Sequence, residues 1–338
     1  MIAMVLNQCA PMETSPLQRT VVPEPVPGPN EVRVKVKVCG ICRTDLHIIE
    51  GELPDQGKPV IPGHQIVGIV DLLGAGASRF KIGDRIGIAW LRHTCGECVH
   101  CRGEQENLCE HSTFTGYHAP GGYAQYAVVP EEFAYPIPRV FADEEAAPLL
   151  CGGIIGYRSL KRSQCRPGQS LALFGFGSSA HIVIQVARYW GCTVYVCTRS
   201  EKHRALASEL GASWVGVSAA DMPVDVDSAI IFAPAGELVP AALSRLRKGG
   251  TLALAGIYMT PIPQLDYERH LFYEKNLHSV TANTRQDGAE LLEVASKIPI
   301  RPQVQMFSLE EANRALLELK RDRLQGSGIL RIDADGPP

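Results

Sequence analysis

The pattern of hydrophobic and polar positions changes character about halfway along the chain. Residues 32–38 read Val-Arg-Val-Lys-Val-Lys-Val, and this strict alternation is typical of a strand that buries one face. Residues 66–70 and 84–88 predict two further strands, and proline and glycine punctuate the neighbouring segments at 25–29 and 74–76. We therefore predict a mostly-β fold over about the first 150 residues.

Farther along, short apolar runs alternate with segments of helical periodicity. The run at 170–174 is followed by apolar positions at helical spacing in 182–187. Such alternation predicts a parallel, doubly wound sheet with helices on its faces. Further buried strands are predicted at residues 193–197, 230–232, 252–256 and 277–280.

The C-terminal part of the chain is predicted to belong to the same domain as the N-terminal part. Residues 309–320 predict a helix, and residues 328–332 predict a final strand that we expect to join the first domain. The chain is thus predicted to be an α/β protein of two domains, as its length also favours. The first domain comprises residues 1–155 and 287–338, and the second comprises residues 156–286.

Composition and charge narrow the range of functions. Of the 338 residues, 45% are hydrophobic and 20% are charged, which is typical of a globular protein. The net charge of −3 does not indicate a basic surface for binding nucleic acid. No apolar run approaches the ~20 residues of a membrane span, and the N-terminus lacks the charged head of a secretory signal. Eleven cysteines in such a chain favour metal ligation and free thiols in a reducing compartment, which predicts a cytoplasmic location.

A glycine-rich turn separates the strand at 170–174 from the helix that follows it. It reads Gly-Phe-Gly-Ser-Ser-Ala, and Gly175, Gly177 and Ala180 occupy the key positions of the G-x-G-x-x-G/A pattern. The glycines let a pyrophosphate approach the backbone at the N-terminus of the helix. With a strand before it and a helix after it, the turn predicts a dinucleotide site; an α/β domain that binds no nucleotide is the alternative.

The end of the next strand indicates which dinucleotide is bound. An NAD site has Asp or Glu about 20 residues past the glycines, where it binds the ribose 2′-hydroxyl. This chain has Thr198, Arg199 and Ser200 there, and two hydroxyls with a guanidinium suit a 2′-phosphate. We predict NADP(H) rather than NAD(H); the alternative is an exposed Arg199 and a site that takes either cofactor.

The segment from Cys39 to His47 combines a soft metal ligand, a cation, a hydroxyl, a carboxylate and an imidazole. These polar groups would not stabilise a packed core, whereas a metal site that transfers a proton beside an anionic cofactor has a use for each of them. Cys42, together with the distant His64 and Cys151, makes a set of two thiolates and one imidazole with a fourth position open. That set is typical of catalytic zinc. The alternative for Cys151 is an ordinary buried thiol.

A second group of cysteines has the spacing C-x2-C-x2-C-x7-C. Four thiolates so close in sequence match a closed tetrahedral zinc site, which stabilises its lobe and admits no substrate. An iron–sulfur cluster and four unrelated thiols are the alternatives. The group consists of Cys95, Cys98, Cys101 and Cys109. No ligand spacing connects the remaining cysteines, for which no role is predicted: Cys9, Cys39, Cys165, Cys192 and Cys197.

With these motifs the whole chain resembles the zinc-dependent alcohol dehydrogenases of the medium-chain dehydrogenase/reductase family. The resemblance covers nearly every motif from Val32 to Leu330 and comes closest to the bacterial and cinnamyl-alcohol-type aldehyde reductases. It implies a GroES-like mostly-β catalytic domain, a Rossmann domain and an active site in the cleft between them. It also implies a homotetramer or a homodimer.

The resemblance implies a role for each polar side chain around the first cysteine set. Thr44 would take the proton of the substrate hydroxyl, and His47 would pass it to solvent through the cofactor ribose. Asp45 would hold the zinc-bound histidine, and Arg43 would face the pyrophosphate. Thr44 and Asp45 could instead cap a helix, and Arg43 and His47 could be solvated surface residues. The catalytic zinc is assigned to Cys42, His64 and Cys151, and the structural zinc to Cys95, Cys98, Cys101 and Cys109.

Three positions depart from the family pattern. Gln65 follows the zinc-binding histidine where the family usually has Glu, and our hypothesis is that the neutral amide makes the zinc more electropositive and lowers the pKa of the bound alcohol. Ser327 stands where the family often has Arg for the cofactor phosphates. Ile155 stands where a Thr usually packs beside the nicotinamide.

The activity implied by the resemblance is reversible hydride transfer between an alcohol and a nicotinamide cofactor, at a site that polarises the alcohol with zinc. Leu53 and Trp90 would line the substrate pocket, which favours primary alcohols, including aromatic or allylic ones, and their aldehydes. Trp90 could instead be a core residue. The alternative functions are a zinc polyol or secondary-alcohol dehydrogenase that uses NAD, and a nucleotide-binding protein without turnover.

Overall fold

A computed structural model describes residues 1–332 of the chain, apart from Lys58, Pro299 and Gln325. The last predicted strand residue, Ile332, is therefore the end of the described chain. The strands are β1 (Ile2–Leu6), β2 (Leu17–Val21), β3 (Glu31–Gly40), β4 (Ile66–Leu73), β5 (Arg85–Ile88), β6 (Leu91–His93), β7 (Thr113–Phe114), β8 (Tyr126–Pro130), β9 (Ala134–Pro136), β10 (Ser170–Phe174), β11 (Thr193–Cys197), β12 (Trp214–Gly216), β13 (Val226–Ile231), β14 (Leu246–Leu254), β15 (Asn276–Ser279), β16 (Val304–Ser308) and β17 (Ser327–Arg331).

Among the helices of the described part of the chain, we find none with the length and apolarity that crossing a membrane requires. The α-helices are α1 (Arg43–Ile49), α2 (Val99–Arg102), α3 (Asp143–Ala146), α4 (Gly152–Arg162), α5 (Ser178–Tyr189), α6 (Glu201–Glu209), α7 (Leu238–Ser244), α8 (Tyr267–His270), α9 (Arg285–Lys297) and α10 (Ala312–Lys320). Single 3-10 turns lie at Met12–Thr14, Glu106–Leu108, Glu131–Phe133, Ala147–Leu150, Ala219–Asp221 and Leu309–Glu311.

The chain divides into two compact units. The first contains Met1–Cys151, Ala282–Ser296 and the described residues from Pro302 onwards. The second contains Gly152–Thr281 and also the short segment Lys297–Arg301, which the sequence analysis had placed in the first domain. The boundaries thus differ by a few residues from those predicted.

A sheet of seven strands forms the framework of the first unit, counted over its described residues. The strand order is β16-β17-β3-β4-β5-β9, and β8 pairs with the N-terminal half of β3. Burial alternates along most of β3, as its period-two sequence predicted. β17 runs antiparallel to β3 with Ile329 opposite Gly40, so the C-terminal strand belongs to this sheet.

The second unit is built on a parallel sheet, in which the described strands follow the order β12-β11-β10-β13-β14-β15. This is the order of a doubly wound dinucleotide-binding fold, as predicted. Every residue of β10 is buried, because helices cover both faces of such a sheet. The segment Lys297–Arg301 joins this unit because the N–H of Arg301 donates to Gln185 Oε1 of α5 at 3.0 Å.

Candidate active site

The first unit brings together three side chains from distant parts of the chain. Cys42 lies between β3 and α1, His64 lies in the loop before β4, and Cys151 follows a buried 3-10 turn. Their ligand atoms all lie within 4.8 Å of one another. Cys42 Sγ is 3.1 Å from His64 Nε2 and 4.0 Å from Cys151 Sγ. A tetrahedral zinc ion holds two sulfurs about 3.8 Å apart, and a sulfur and a nitrogen about 3.5 Å apart, so the three groups fit one ion.

Cys42 is the N-cap of helix α1, which begins directly after it. Cys42 Sγ accepts a hydrogen bond from the N–H of Thr44 at 3.3 Å. In return, Asp45 Oδ2 accepts from the N–H of Cys42 at 2.9 Å, which completes a capping box. The helix cap is therefore Cys42 with Asp45, and the alternative role of Thr44 as the cap is wrong. Both interactions fix the direction in which the thiolate points.

Asp45 is fully buried and connects the two loops that carry ligands. Its Oδ1 lies 3.4 Å from Nδ1 of His64, a contact without hydrogen-bond geometry, and accepts from the N–H of Gly63 at 3.2 Å. Its Oδ2 accepts from the hydroxyl of Tyr123 at 3.0 Å. Asp45 therefore faces His64, as the resemblance implied, while Tyr123 is a member of the site that the sequence analysis missed.

Burial and mutual proximity shift the proton affinities of the three ligands. Burial opposes ionisation of Cys42, but Cys151, His64 and the side chain of Thr44 lower the pKa of Cys42 well below its ordinary value. The bond with Cys42 and burial raise the pKa of Cys151 well above its ordinary value. Burial would lower the pKa of His64, but the charges of Cys42 and Asp45 raise it to about 10.

These shifts predict that zinc entry at the triad displaces two protons. The lowered pKa of Cys42 favours its thiolate, and the raised pKa values of His64 and Cys151 favour their protonated forms, so coordination of a metal ion would remove two protons. We expect zinc affinity to rise by about a hundredfold per pH unit near neutrality, since two protons leave per ion. Calorimetry in buffers of different ionisation enthalpy measures the protons released when zinc re-enters a triad emptied by a chelator.

The control for this measurement is Cys151→Ser, which removes one of the two titrating ligands. This variant is expected to release about one proton fewer per zinc ion than the wild-type protein. Zinc uptake that releases no protons, or affinity that does not change with pH, would contradict the assignment of protonation states.

The four clustered cysteines also converge, in a lobe of the first unit that contains α2. Their sulfurs fit one ion: Cys95 Sγ lies 3.9 Å from Cys101 Sγ and 3.6 Å from Cys109 Sγ. An iron–sulfur cluster would hold the sulfurs farther apart, because several irons and sulfides lie between them. Backbone N–H groups donate to three of the sulfurs at 3.4 Å. The N–H groups of Glu97 and Cys98 lower the pKa of Cys95 to about 6, which favours the thiolate.

Of the two predicted pocket residues, one touches the metal triad. Trp90 packs edge-on against the imidazole of His64, with ring centroids 4.8 Å apart, and stacks on Phe114. It is half-buried, so it covers the ligand without being a fully enclosed core residue. Leu53 is half-buried and lines a shallow groove with Tyr117, and its place in a substrate pocket stays a prediction.

Two residues of α1, Arg43 and His47, have partners at the surface of the first unit. Arg43 forms an ion pair with Asp322, which the sequence analysis did not foresee. His47 Nδ1 bonds to the carboxylate of Glu52, and the His47 side chain is 17% exposed. The roles of Arg43 toward a pyrophosphate and of His47 in proton transfer stay predictions.

The positions that depart from the family pattern are all at least partly buried. The carboxamide of Gln65 packs against Gly40, where a Cβ would lie 2.8 Å from its Oε1, and its Nε2 makes no hydrogen bond. Ser327 is buried in β17, so no long cationic side chain extends from that position. Ile155 is half-buried in α4.

The glycine-rich turn of the second unit has the shape that a pyrophosphate requires. Gly175 has φ of 87°, and a Cβ there would lie 2.9 Å from the N of Ala233. Gly177 is the N-cap of α5, and apart from its chain neighbours no heavy atom of the described residues lies within 4 Å of its Cβ position. Ala180, in the first turn of α5, is fully buried. The open backbone at Gly177 fits a phosphate at the helix N-terminus.

The loop after β11 presents one cation between two hydroxyl residues. Thr198 is buried, Arg199 is exposed, and Ser200 caps α6 by accepting from the N–H of His203 at 3.4 Å. Arg204 donates to the carbonyl oxygens of Thr198 and Arg199 at 3.1 and 2.7 Å. These bonds hold the loop and leave the Arg199 side chain at the surface.

An open triad of two thiolates and an imidazole, in a chain with a doubly wound dinucleotide-binding sheet, is the combination found in metal-dependent dehydrogenases. Comparison with known families agrees with this class. Residues 28–139 match the family described as Alcohol dehydrogenase GroES-like domain. Residues 180–297 match the family described as Zinc-binding dehydrogenase.

Individual relatives cover almost the whole chain. Over 98% of its length the chain is 48% identical to the probable alcohol dehydrogenase AdhA of Mycobacterium tuberculosis, of which 97% is covered. It is 35% identical to an alcohol dehydrogenase of Geobacillus stearothermophilus, over 90% of this chain and 92% of that one. Among solved structures it resembles a cinnamyl alcohol dehydrogenase of Sorghum bicolor, with a TM-score of 0.89 and 25% identity over 100% of this chain and 98% of that one.

The chain therefore belongs to the zinc-dependent alcohol dehydrogenases of the medium-chain dehydrogenase/reductase family. It is an oxidoreductase with alcohol dehydrogenase activity, and the alternative of a nucleotide-binding protein without turnover is wrong. The fold predicted from the sequence, a GroES-like domain and a Rossmann sheet, is confirmed.

Proposed function

We propose that the chain transfers hydride reversibly between primary alcohols, including aromatic or allylic ones, and NADP(H). The observation that carries this proposal is the convergence of Cys42, His64 and Cys151 on the volume of a single ion. Two thiolates and one imidazole leave a coordination position for the substrate oxygen, which a closed four-ligand site does not.

Two zinc ions per chain are proposed, one at each group of ligands. The tetrathiolate group of Cys95, Cys98, Cys101 and Cys109 takes the ion that stabilises its lobe. The triad takes the catalytic ion, which supplies Lewis acidity toward the alcohol oxygen. Asp45 keeps His64 oriented through its second ring nitrogen, as outer carboxylates do at many zinc sites.

The proton of the substrate is proposed to leave along α1. Thr44 and His47 lie on the same face of this helix, about one turn apart. The hydroxyl of Thr44 would accept the proton of the alcohol as it gives up its own, and the partly exposed imidazole of His47 would take up that proton and release one to water. Glu52 holds Nδ1 of His47, which assigns the exchanging proton to Nε2.

NADP(H) is the proposed cofactor because the loop after β11 carries a cation and no acid. Arg199 would pair with the 2′-phosphate, and the hydroxyls of Thr198 and Ser200 would donate to its oxygens. Arg204 supports the backbone of the same loop through its bonds to two carbonyl oxygens. Arg43 is proposed to exchange Asp322 for the pyrophosphate when the cofactor binds.

Primary alcohols are the proposed substrates because the large apolar ring of Trp90 packs edge-on against His64. Together with Phe114 it forms an apolar wall that accommodates a planar substituent and crowds a branched carbon. Leu53 is proposed as a second apolar wall. This distinguishes the chain from polyol dehydrogenases, whose substrates need several polar partners.

The protein is proposed to be a cytoplasmic homodimer or homotetramer. Six large apolar side chains are exposed between α7 and β15, and β15 is one of the two edge strands of its sheet in the described chain. A second copy would cover this surface. Light scattering after size exclusion is expected to give two or four chains, and a monomer would contradict the proposal. The exposed side chains are Ile257, Tyr258, Ile262, Tyr267, Phe272 and Tyr273.

A screen of alcohols and aldehydes with both cofactors tests the central proposal, combined with metal analysis. We expect two zinc ions per chain and the highest kcat/KM for primary alcohols with NADP(H). Equal efficiency with NAD(H) and NADP(H) would overturn the cofactor assignment. Efficient turnover of secondary alcohols or polyols, but not primary alcohols, would overturn the substrate assignment.

A further inference from the structure

We propose that Tyr123 is a positioning residue of the catalytic metal site, acting through Asp45 to set how long the zinc ion stays on the triad. The proposal rests on the proposed assignment of zinc to Cys42, His64 and Cys151. Tyr123 touches none of the reacting groups, so its effect belongs to the geometry of the ligands.

The four partners of Asp45 divide between its two oxygens. Oδ2 accepts from the N–H of Cys42 at 2.9 Å and from the hydroxyl of Tyr123 at 3.0 Å. Oδ1 faces the N–H of Gly63 at 3.2 Å and Nδ1 of His64 at 3.4 Å. Two donors on Oδ2 fix the rotation of the carboxylate, and that rotation directs Oδ1 toward the imidazole.

Backbone hydrogen bonds hold the phenol against the loop that carries His64. The N–H of Tyr123 donates to the carbonyl of Pro62 at 3.0 Å, and its carbonyl accepts from the N–H of Met4 at 2.8 Å. The ring passes over Gly63, whose φ of 97° and absent side chain allow the approach. A Cβ on Gly63 would lie 2.4 Å from the ring.

Tyr123, Asp45 and His64 are all fully buried, so water cannot replace a lost donor at the carboxylate. The Tyr123→Phe substitution removes one oxygen and keeps the ring that packs over Gly63. Without the hydroxyl, Oδ2 retains only the N–H of Cys42, and the carboxylate can rotate away from His64. Loss of an outer-shell partner costs about 10–100-fold in metal affinity, and a donor one bond farther out should cost less.

The test is the rate at which the holoenzyme releases zinc to a chromophoric chelator. Tyr123→Phe is expected to release the triad zinc about threefold to tenfold faster than wild type, because a partner of its outer carboxylate is lost. Release from the tetrathiolate site should not change, which provides a reference within the same molecule. Tyr135→Phe, another buried tyrosine of the first unit, is the matched control and should leave both rates unchanged.

A double variant distinguishes an effect that acts through Asp45 from a general destabilisation of the metal site. If Tyr123 acts through Asp45, adding Tyr123→Phe to Asp45→Asn should change the release rate no further. An unchanged rate in Tyr123→Phe would overturn the proposal, as would equal acceleration at both zinc sites or an undiminished effect in the Asp45→Asn background. Failure of the proposed function gives a different result. The wild-type protein would then bind no zinc at the triad, and its zinc content would equal that of Cys42→Ser.

Discussion

Replacement of His64 with alanine is expected to lower kcat/KM for alcohol oxidation by about a thousandfold or more. The triad would lose its imidazole, and two thiolates alone hold a catalytic zinc ion poorly. A metal ion contributes several kcal/mol to stabilising the developing charge, and each 1.4 kcal/mol is worth about a factor of ten. Bound zinc should fall from two ions per chain to one, measured by atomic emission on the purified protein.

The control for this substitution must account for the cavity that the missing ring leaves. His270 is also buried but lies in α8 of the second unit, so His270→Ala reports the effect of losing a buried imidazole elsewhere. We expect that variant to keep both zinc ions. Substantial activity in His64→Ala with only the tetrathiolate zinc bound would show that the triad is not the catalytic site.

Replacement of Arg199 with aspartate is expected to reverse the cofactor preference from NADP(H) to NAD(H). The substitution removes a charge-assisted bond to the 2′-phosphate, worth about 1.5–3 kcal/mol, and places a carboxylate where it can accept from a 2′-hydroxyl. The ratio of kcat/KM for the two cofactors should change by about a hundredfold or more. Steady-state kinetics with one alcohol and both cofactors measure it.

Arg166→Asp serves as the matched control for this charge reversal. Arg166 is an exposed arginine of the same unit and lies outside the loop after β11, so its replacement should leave the cofactor ratio unchanged. An Arg199→Asp variant that still prefers NADPH would place the phosphate-binding group elsewhere.

The two sheets could be predicted because the strands of the first sheet bury mainly one face, whereas those of the second bury both faces. β3 alternates between buried and half-buried positions, whereas β10 is buried throughout, and the sequence shows this difference directly. The start of β14 was predicted wrongly. It begins at Leu246 rather than at residue 252, because Arg-Lys-Gly-Gly at 247–250 has the composition of a turn. Gly249, with φ of 74°, lets the strand continue through an irregularity.

The convergence of the two groups of cysteine and histidine side chains could be predicted, because residue type and spacing indicate metal ligation. Tyr123 could not, since its bond to Asp45 joins residues 78 positions apart and a tyrosine in an apolar stretch indicates core. The same reason hid the pairing of Arg43 with Asp322, which are 279 positions apart. Residue type reveals a ligand, whereas the partners of a ligand depend on the fold.

The pairing of the last strand with β3 has a consequence for biosynthesis. The N–H of Ile41, next to the first ligand, donates to the carbonyl of Gly328 at 2.9 Å. Ribosomes add about 5–20 residues per second. The N–H of Ile41 therefore has no Gly328 carbonyl to bond for roughly 15 seconds to a minute after Ile41 is synthesised. The residues of the second unit are by then synthesised, whereas the end of β3 next to Cys42 still lacks its neighbouring strand β17. The end of β3 beside Cys42 is thus among the last parts of this sheet to be paired.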